Sequence, residues 1–182
     1  MRIISGKFKG RKIKYNNLKN VRPTTDRTKE SLFNILNQYF EFSKINALDL
    51  FSGSGNISFE LSSRGVQEIT LVERNMDSIK FIREFSKKLN INFNICNTTA
   101  HKFLNTTEST FNLIIADPPY SHPIKETENL IGLIFRKKIL KKNGILIVEH
   151  HKKNLINCSK FLFDKRTYGS SSLSFFKKKS RS

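Results

Sequence analysis

Cysteine is nearly missing from this chain: Cys96 and Cys158 are the only two in 182 residues, far apart and without a CxxC pair. That scarcity excludes a thiolate zinc site and a disulfide framework, and it suits packing roles in a reducing compartment. His101, His122, His150 and His151 form no ligand pattern with the cysteines, so no metal is expected. No apolar run approaches the roughly 18 residues of a membrane span; the longest are of the order of Ile145-Leu146-Ile147-Val148. The opening Met1-Arg2-Ile3-Ile4-Ser5-Gly6-Lys7 has neither an apolar core nor a small-residue cleavage site of a secretion signal. A cytoplasmic protein without a membrane partner is expected, monomeric by default.

Acidic residues are also scarce, 15 against 33 Lys and Arg, for a net charge of +18 and a pI near 10.1. An AT-rich genome favours Lys, but it should raise Glu in parallel, and here it does not. No basic amphipathic helix stands out for an anionic membrane, so the excess points to nucleic acid. What is present is a globular composition, 37% hydrophobic with 16 Phe, and a length suited to one compact domain.

Residues 2–15 read as two short strands, Arg2–Ser5 and Arg11–Tyr15, around the turn Gly6–Gly10. Arg2, Lys7, Lys9, Arg11, Lys12 and Lys14 alternate there with Phe8 and Tyr15, a pattern suited to phosphate contact and base stacking. Residues 1–22 are therefore read as a basic N-terminal β-hairpin extension, and 23–182 as the main domain. In Arg22-Pro23-Thr24-Thr25-Asp26-Arg27, Pro23 enforces an extended approach, Thr25 can cap a helix and Asp26 suits its first turn. That helix is expected to reach Phe40 through an apolar stripe of Leu32, Phe33, Leu36, Tyr39 and Phe40.

From residue 45 short apolar strands alternate with helices. Strands are expected at Ile45–Leu50, Glu68–Glu73, Asn92–Cys96, Phe111–Ala116 and Gly144–Glu149. Helices are expected at Asn56–Arg64, Met76–Leu89, 99–105 and 125–136. The pattern predicts an open, doubly wound α/β fold with a mostly parallel sheet. Lys160–Tyr168 and Ser171–Lys177, joined at Gly169, add a terminal antiparallel hairpin for seven strands, the Rossmann-like layout of class I methyltransferases. No internal repeat is present.

Asp49-Leu50-Phe51-Ser52-Gly53-Ser54-Gly55-Asn56 ends the first core strand and opens a helix. Two glycines let the backbone turn sharply and approach a ligand, and the helix N-terminus offers free N–H groups. The third glycine of a dinucleotide fingerprint is replaced by Ser58. Asp49 would repel a pyrophosphate but attract a cationic amino group. Glu73, 18 residues after Gly55, stands where an acid can grip the ribose hydroxyls of an adenosine cofactor.

Asp117-Pro118-Pro119-Tyr120 follows the fourth core strand. Two prolines fix φ and cannot donate backbone hydrogen bonds, so the loop is rigid and rich in acceptors. An exocyclic base amine is a poor nucleophile because its lone pair is delocalised into the ring. Asp117 and the Pro118 carbonyl can accept its two protons, and Tyr120 can stack on the base. An acid here suits guanine, with its adjacent N1–H and N2 amine, whereas an Asn would suit adenine.

These motifs resemble those of the small bacterial RsmD-type methyltransferases. The resemblance includes Arg2-Ile3-Ile4-Ser5-Gly6-x-x-x-Gly10-Arg11, Arg22-Pro23-Thr24-Thr25-Asp26-Arg27 before Glu30-Ser31-Leu32-Phe33-Asn34, and both motifs above. It implies methylation of a guanine N2 in 16S ribosomal RNA with S-adenosyl-L-methionine as donor, on an assembling small subunit rather than naked RNA. Asp49, Phe51, Gly53, Gly55 and Glu73 would bind the cofactor, and Asp117–Tyr120 the target base. Family members often place an acid or amide after the third strand against the adenine, and the matching position here is Thr99, followed by Ala100. Candidate RNA contacts are Arg2, Lys7, Lys9, Arg11, Lys12, Arg22 and Arg27. The competing readings are a DNA adenine-N6 methyltransferase, which normally needs a target-recognition insertion that this compact chain lacks, and a non-catalytic RNA-binding ribosome assembly factor, which predicts damaged motifs.

Overall fold

The computed structural model describes residues 1–14, 26–119 and 121–178. Five core strands are parallel: β1 (Asn46–Asp49), β2 (Glu68–Glu73), β3 (Asn94–Asn97), β4 (Phe111–Ala116) and β5 (Leu140–His151). The antiparallel pair β6 (Leu162–Tyr168) and β7 (Ser171–Phe176) completes one seven-stranded sheet, in the order β3-β2-β1-β4-β5-β7-β6. This is the layout expected from the alternation of short apolar runs and helical repeats. Strand order reverses between β1 and β4, so the loops leaving these two strands diverge and open a crevice at the carboxyl edge.

Two apolar layers flank the sheet because successive strand residues point to opposite faces. On β4, Leu113 and Ile115 pack with α1 (Asp26–Leu36), α2 (Asn56–Ser63) and α3 (Met76–Leu89). Ile114 and Ala116 pack with α4 (Ala100–Thr106) and α5 (Ile124–Arg136). Helix α3 shows how such elements are bounded: Asn75 caps it by accepting from the Ser78 N–H, and Asn90 ends it at φ 54°. Its Ile79, Ile82, Ser86 and Leu89 are buried at helical spacing.

Four expectations shift. Helix α1 stops at Leu36, four residues short of Phe40, and Tyr39 is 46% exposed, against the edge of Phe163 instead of in a helix stripe. Strand β3 lies at Asn94–Asn97 instead of starting at Asn92. Strand β5 begins at Leu140, because Phe111 pairs with Leu140 before a register shift restores the Leu113–Ile145 pairing. Among the described residues, the N-terminal hairpin has a single bridge, Arg2 to Lys12, in place of two strands.

The reason for the last difference is that the N-terminal segment docks on α2. Glu60 accepts from the backbone N–H groups of Ile4 (2.7 Å) and Ser5 (3.0 Å), and the Ser63 carbonyl accepts from Lys7 N–H (2.7 Å). Ser63 Oγ accepts from Phe8 N–H and donates to the Ser5 carbonyl. Gly6 makes this approach feasible: at φ 81°, a Cβ there would lie 1.8 Å from the Ser63 carbonyl oxygen. Ile3 and Ile13 are buried in the main core beside Leu32 and Phe33. Burying side chains of this size stabilises by roughly 1.5–3 kcal/mol each.

Beneath the segment lies an ion pair that water does not reach. Lys29 and Glu60 have fully buried side chains 3.4 Å apart, with Arg64 2.8 Å from the other Glu60 oxygen. Lys29 also donates to the Arg2 carbonyl (2.6 Å) and to Asn56 Oδ1 (2.9 Å). Burial pulls the Lys29 pKa below its usual value, with Glu60 opposing that shift. Arg64 lies over the Phe33 ring, 4.4 Å from its centroid.

Candidate active site

A cleft of about 1660 Å³ opens at the carboxyl edge of the sheet, where β1 and β4 diverge. It is lined by the loop after β1, the ends of β2 and β3, and the loop after β4. Residues distant in sequence thus share one concave surface, because every parallel strand delivers its C-terminal end to the same side.

Asp49 sits at the floor, 3% exposed. Burial raises its pKa to about 7; the neighbouring Glu73 pushes in the same direction, and hydrogen bonds from Ser58 and the Phe51 backbone oppose it. The Ser58 hydroxyl donates to Asp49 Oδ2 at 2.7 Å. Ser58, where the dinucleotide fingerprint would have glycine, thereby orients the acid, a role that its spacing in the motif hinted at only by exception.

The loop from Asp49 to α2 is tight. Gly53 and Gly55 have φ of 51° and 73°, and Gly55 N–H donates to the Ser52 carbonyl at 2.6 Å. A side chain on Gly55 would press on Phe59 and Ile82 at 3.1 and 3.2 Å. Glu73 clasps the loop: Oε2 accepts from Gly53 N–H, and Oε1 from the N–H groups of Arg74 and Asn75, each at 2.8 Å. The carboxylate is fixed in orientation, with further lone pairs left for ligand hydroxyls. Thr99 caps α4 by accepting from Lys102 N–H at 3.2 Å, and both it and Ala100 line the cleft.

Across the cleft, Asp117, Pro118 and Pro119 line the wall that follows β4. Tyr120 lies outside the described residues. The turn closes where His122 N–H donates to the Pro119 carbonyl at 2.7 Å. The His122 ring packs edge-on against Phe51, with centroids 5.6 Å apart, joining the loop after β4 to the loop after β1. Burial lowers the His122 pKa, with the nearby Glu126 carboxylate opposing that shift. In the sequence, the signal for His122 is only that it stands two residues after Tyr120. Lys29, Glu60 and Asn56, which brace α2, gave no motif signal. Their one trace is a Lys at a core position of the α1 stripe.

Of the candidate RNA contacts, Lys7, Lys9, Arg11 and Lys12 are exposed on the docked N-terminal segment. Arg2 is exposed and paired with Asp26 at 2.9 Å, and Arg27 lines the cleft. Arg22 and the run through Thr25 fall outside the described residues.

The model of the family described as "Conserved hypothetical protein 95" matches residues 1–177. A "Ribosomal RNA small subunit methyltransferase D" of Buchnera aphidicola subsp. Acyrthosiphon pisum is 38% identical over 156 residues, covering 85% of this chain and 80% of that one. This chain belongs to the RsmD methyltransferase family. A "Putative rRNA methyltransferase YlbH" of Bacillus subtilis is 32% identical, over 98% of this chain and all of that one. Among solved structures, the "Putative methyltransferase yhhF" of Escherichia coli superposes with a TM-score of 0.84 at 27% identity, covering 100% of this chain and 99% of that one. The RsmD-type architecture thus extends through the docked N-terminal segment as well as the sheet.

Proposed function

We propose that the chain is an S-adenosyl-L-methionine-dependent methyltransferase that modifies the N2 amine of a guanine in 16S ribosomal RNA, on an assembling small subunit. The observation that carries this reading is the shared cleft: Asp49 and Glu73 on one side and Asp117-Pro118-Pro119 on the other, at the switch point of the sheet. When bound, S-adenosyl-L-methionine supplies an electrophilic methyl group on a sulfonium centre.

The chain's own residues fit that partner. Asp49 offers a buried carboxylate to a cationic amino group, and Glu73 offers a braced carboxylate to paired hydroxyls. Hydrogen bonds to a charged group contribute roughly 1.5–3 kcal/mol each. The glycine loop lets backbone approach the ligand without Cβ interference. Asp117 and the Pro118 carbonyl accept the two protons of the target amine, favouring a tetrahedral nitrogen whose lone pair faces the donor. Both act through position, and a rigid Pro-Pro turn loses little order on binding.

The N-terminal segment presents Lys7, Lys9, Arg11 and Lys12 on a backbone already tied to α2, so phosphate contact costs it little conformational entropy. With Arg2, Arg22 and Arg27 they form the proposed RNA-contact set.

Mass spectrometry of 16S rRNA nucleosides from cells with and without the protein tests the reading. Loss of one N2-methylguanosine is expected, and an unchanged profile refutes it. Asp117→Ala should abolish methyl transfer while cofactor binding persists; near-normal turnover would displace the active site from this loop.

A further inference from the structure

We propose that Glu149 is the residue that makes the target pocket selective for guanine, an inference that rests on the guanine-N2 reading above. The placement follows from strand register. Ile115 pairs with Ile147, and Ala116 with Val148. Asp117 is the first residue past β4, and Glu149 follows Val148 on β5, so the two acids stand beside each other where the β4–β5 pairing ends. Glu149 pairs with Leu173 on β7, which places it on the face shared by Ile147 and Leu173, the side covered by α1 and α2. Adjacent strands lie about 4.8 Å apart, so the two acids are neighbours at the carboxyl edge. Both line the cleft, and Glu149 is only partly buried.

Asp49 stands on β1, on one side of β4, and Glu149 on β5, on the other. A ligand held by Asp49 and an amine held by Asp117 therefore leave the rest of the base over β5. The turn between β6 and β7, with Tyr168, Gly169 and Ser170 lining the same cleft, closes that end.

The chemistry selects the base. Guanine presents three protons on this edge, two on N2 and one on N1. Asp117 and the Pro118 carbonyl account for the amine pair, and Glu149 supplies the third acceptor, for N1–H. Adenine and cytosine carry an unprotonated ring nitrogen beside their amine. Against Glu149 that nitrogen sets lone pair against lone pair, where guanine's N1–H would make a charge-assisted hydrogen bond, and the difference is a basis for rejection.

The test uses the full-length protein and small subunits reconstituted with either guanosine or 2,6-diaminopurine riboside at the modified position. The two bases share the 2-amine, but the second has no N1–H. Wild type should favour guanosine in kcat/KM by on the order of tenfold or more. In Glu149→Gln the amide can turn to donate, so the preference should fall towards unity or invert. Retention of the wild-type ratio by the variant would overturn the proposal. So would equal rates on both bases with wild type, a result independent of how well the variant folds. If wild type forms no N2-methylguanosine at all, the guanine reading itself fails and this assignment falls with it.

Discussion

On the proposed reading, Asp49 should make cofactor affinity a function of pH. Its carboxyl is buried and raised to about 7, well above the usual carboxylate value of 3.8. Capture of an ammonium group needs the ionised form. Below pH 7 the free protein must release a proton before it can bind, and affinity should fall by about tenfold for each further unit of acidity. At strongly alkaline pH the ligand's own α-amino group loses its charge, so affinity should level off above pH 7 before falling again. Calorimetric titration with S-adenosylhomocysteine between pH 5.5 and 8.5 would measure the acid arm and the plateau. Repeating it at pH 6 in buffers of different ionisation enthalpy counts the protons: close to one should leave per ligand bound. Asp49→Asn should bind weakly and lose the acid arm. A dissociation constant that stays flat from pH 5.5 to 7, with no proton released, would show that this carboxyl is already ionised in the free protein and refute the reasoning.

Three further expectations concern the fold around the site. Because the folded pKa of Asp49 lies above its unfolded value, the stability it contributes is present at low pH and is lost as pH rises towards 7. Asp49→Asn should therefore raise the ligand-free melting temperature at pH 7.5 more than at pH 5; equal shifts at both values would contradict the burial argument. Lys29→Met removes one of the two cations of Glu60 in a dry site and should cost about 3–5 kcal/mol in urea unfolding, because the carboxylate keeps its desolvation penalty with less to offset it. A loss below about 1 kcal/mol would mean that Arg64 and the Ile4 and Ser5 amides suffice to hold Glu60. Neutralising Lys7, Lys9, Arg11 and Lys12 together should weaken RNA binding and flatten its dependence on log salt, by about 0.7–0.9 for each phosphate no longer neutralised. An unchanged slope would move the RNA elsewhere.

The parallel sheet was readable because its strands are apolar on both faces and end in motif residues. Asp49, Glu73 and Asp117 each stand at or just past a strand end, where chemistry and topology coincide. The N-terminal segment reads as a hairpin in sequence because its hydrogen-bonding groups find partners in α2, more than 50 residues away, which no local pattern encodes. Lys29 and Glu60 are silent for a related reason. In a sequence, a charge within an amphipathic helix reads as a surface residue unless its partner is known. The early start of β5 was hidden by Lys141, Lys142 and Asn143, which look like a loop although Leu140 already pairs with Phe111. Glu149 was read as the end of a strand that in fact runs on to His151, and its neighbour Asp117 becomes visible only once the register of β4 against β5 is known.

The docking of Gly6 against Ser63 also imposes an order on synthesis. The segment around Gly6 has no surface to settle on until α2 emerges from the ribosome, 57 residues later. At roughly 5–20 residues per second that interval is about 3–11 seconds, during which the basic ledge and its two isoleucines remain unsheltered beside the ribosome's own RNA. A basic segment that waits in this way needs its anchor on α2 to outcompete that nearby polyanion. The buried Glu60 carboxylate, reserved for two backbone amides and two cations, is the part of the fold equipped to do it.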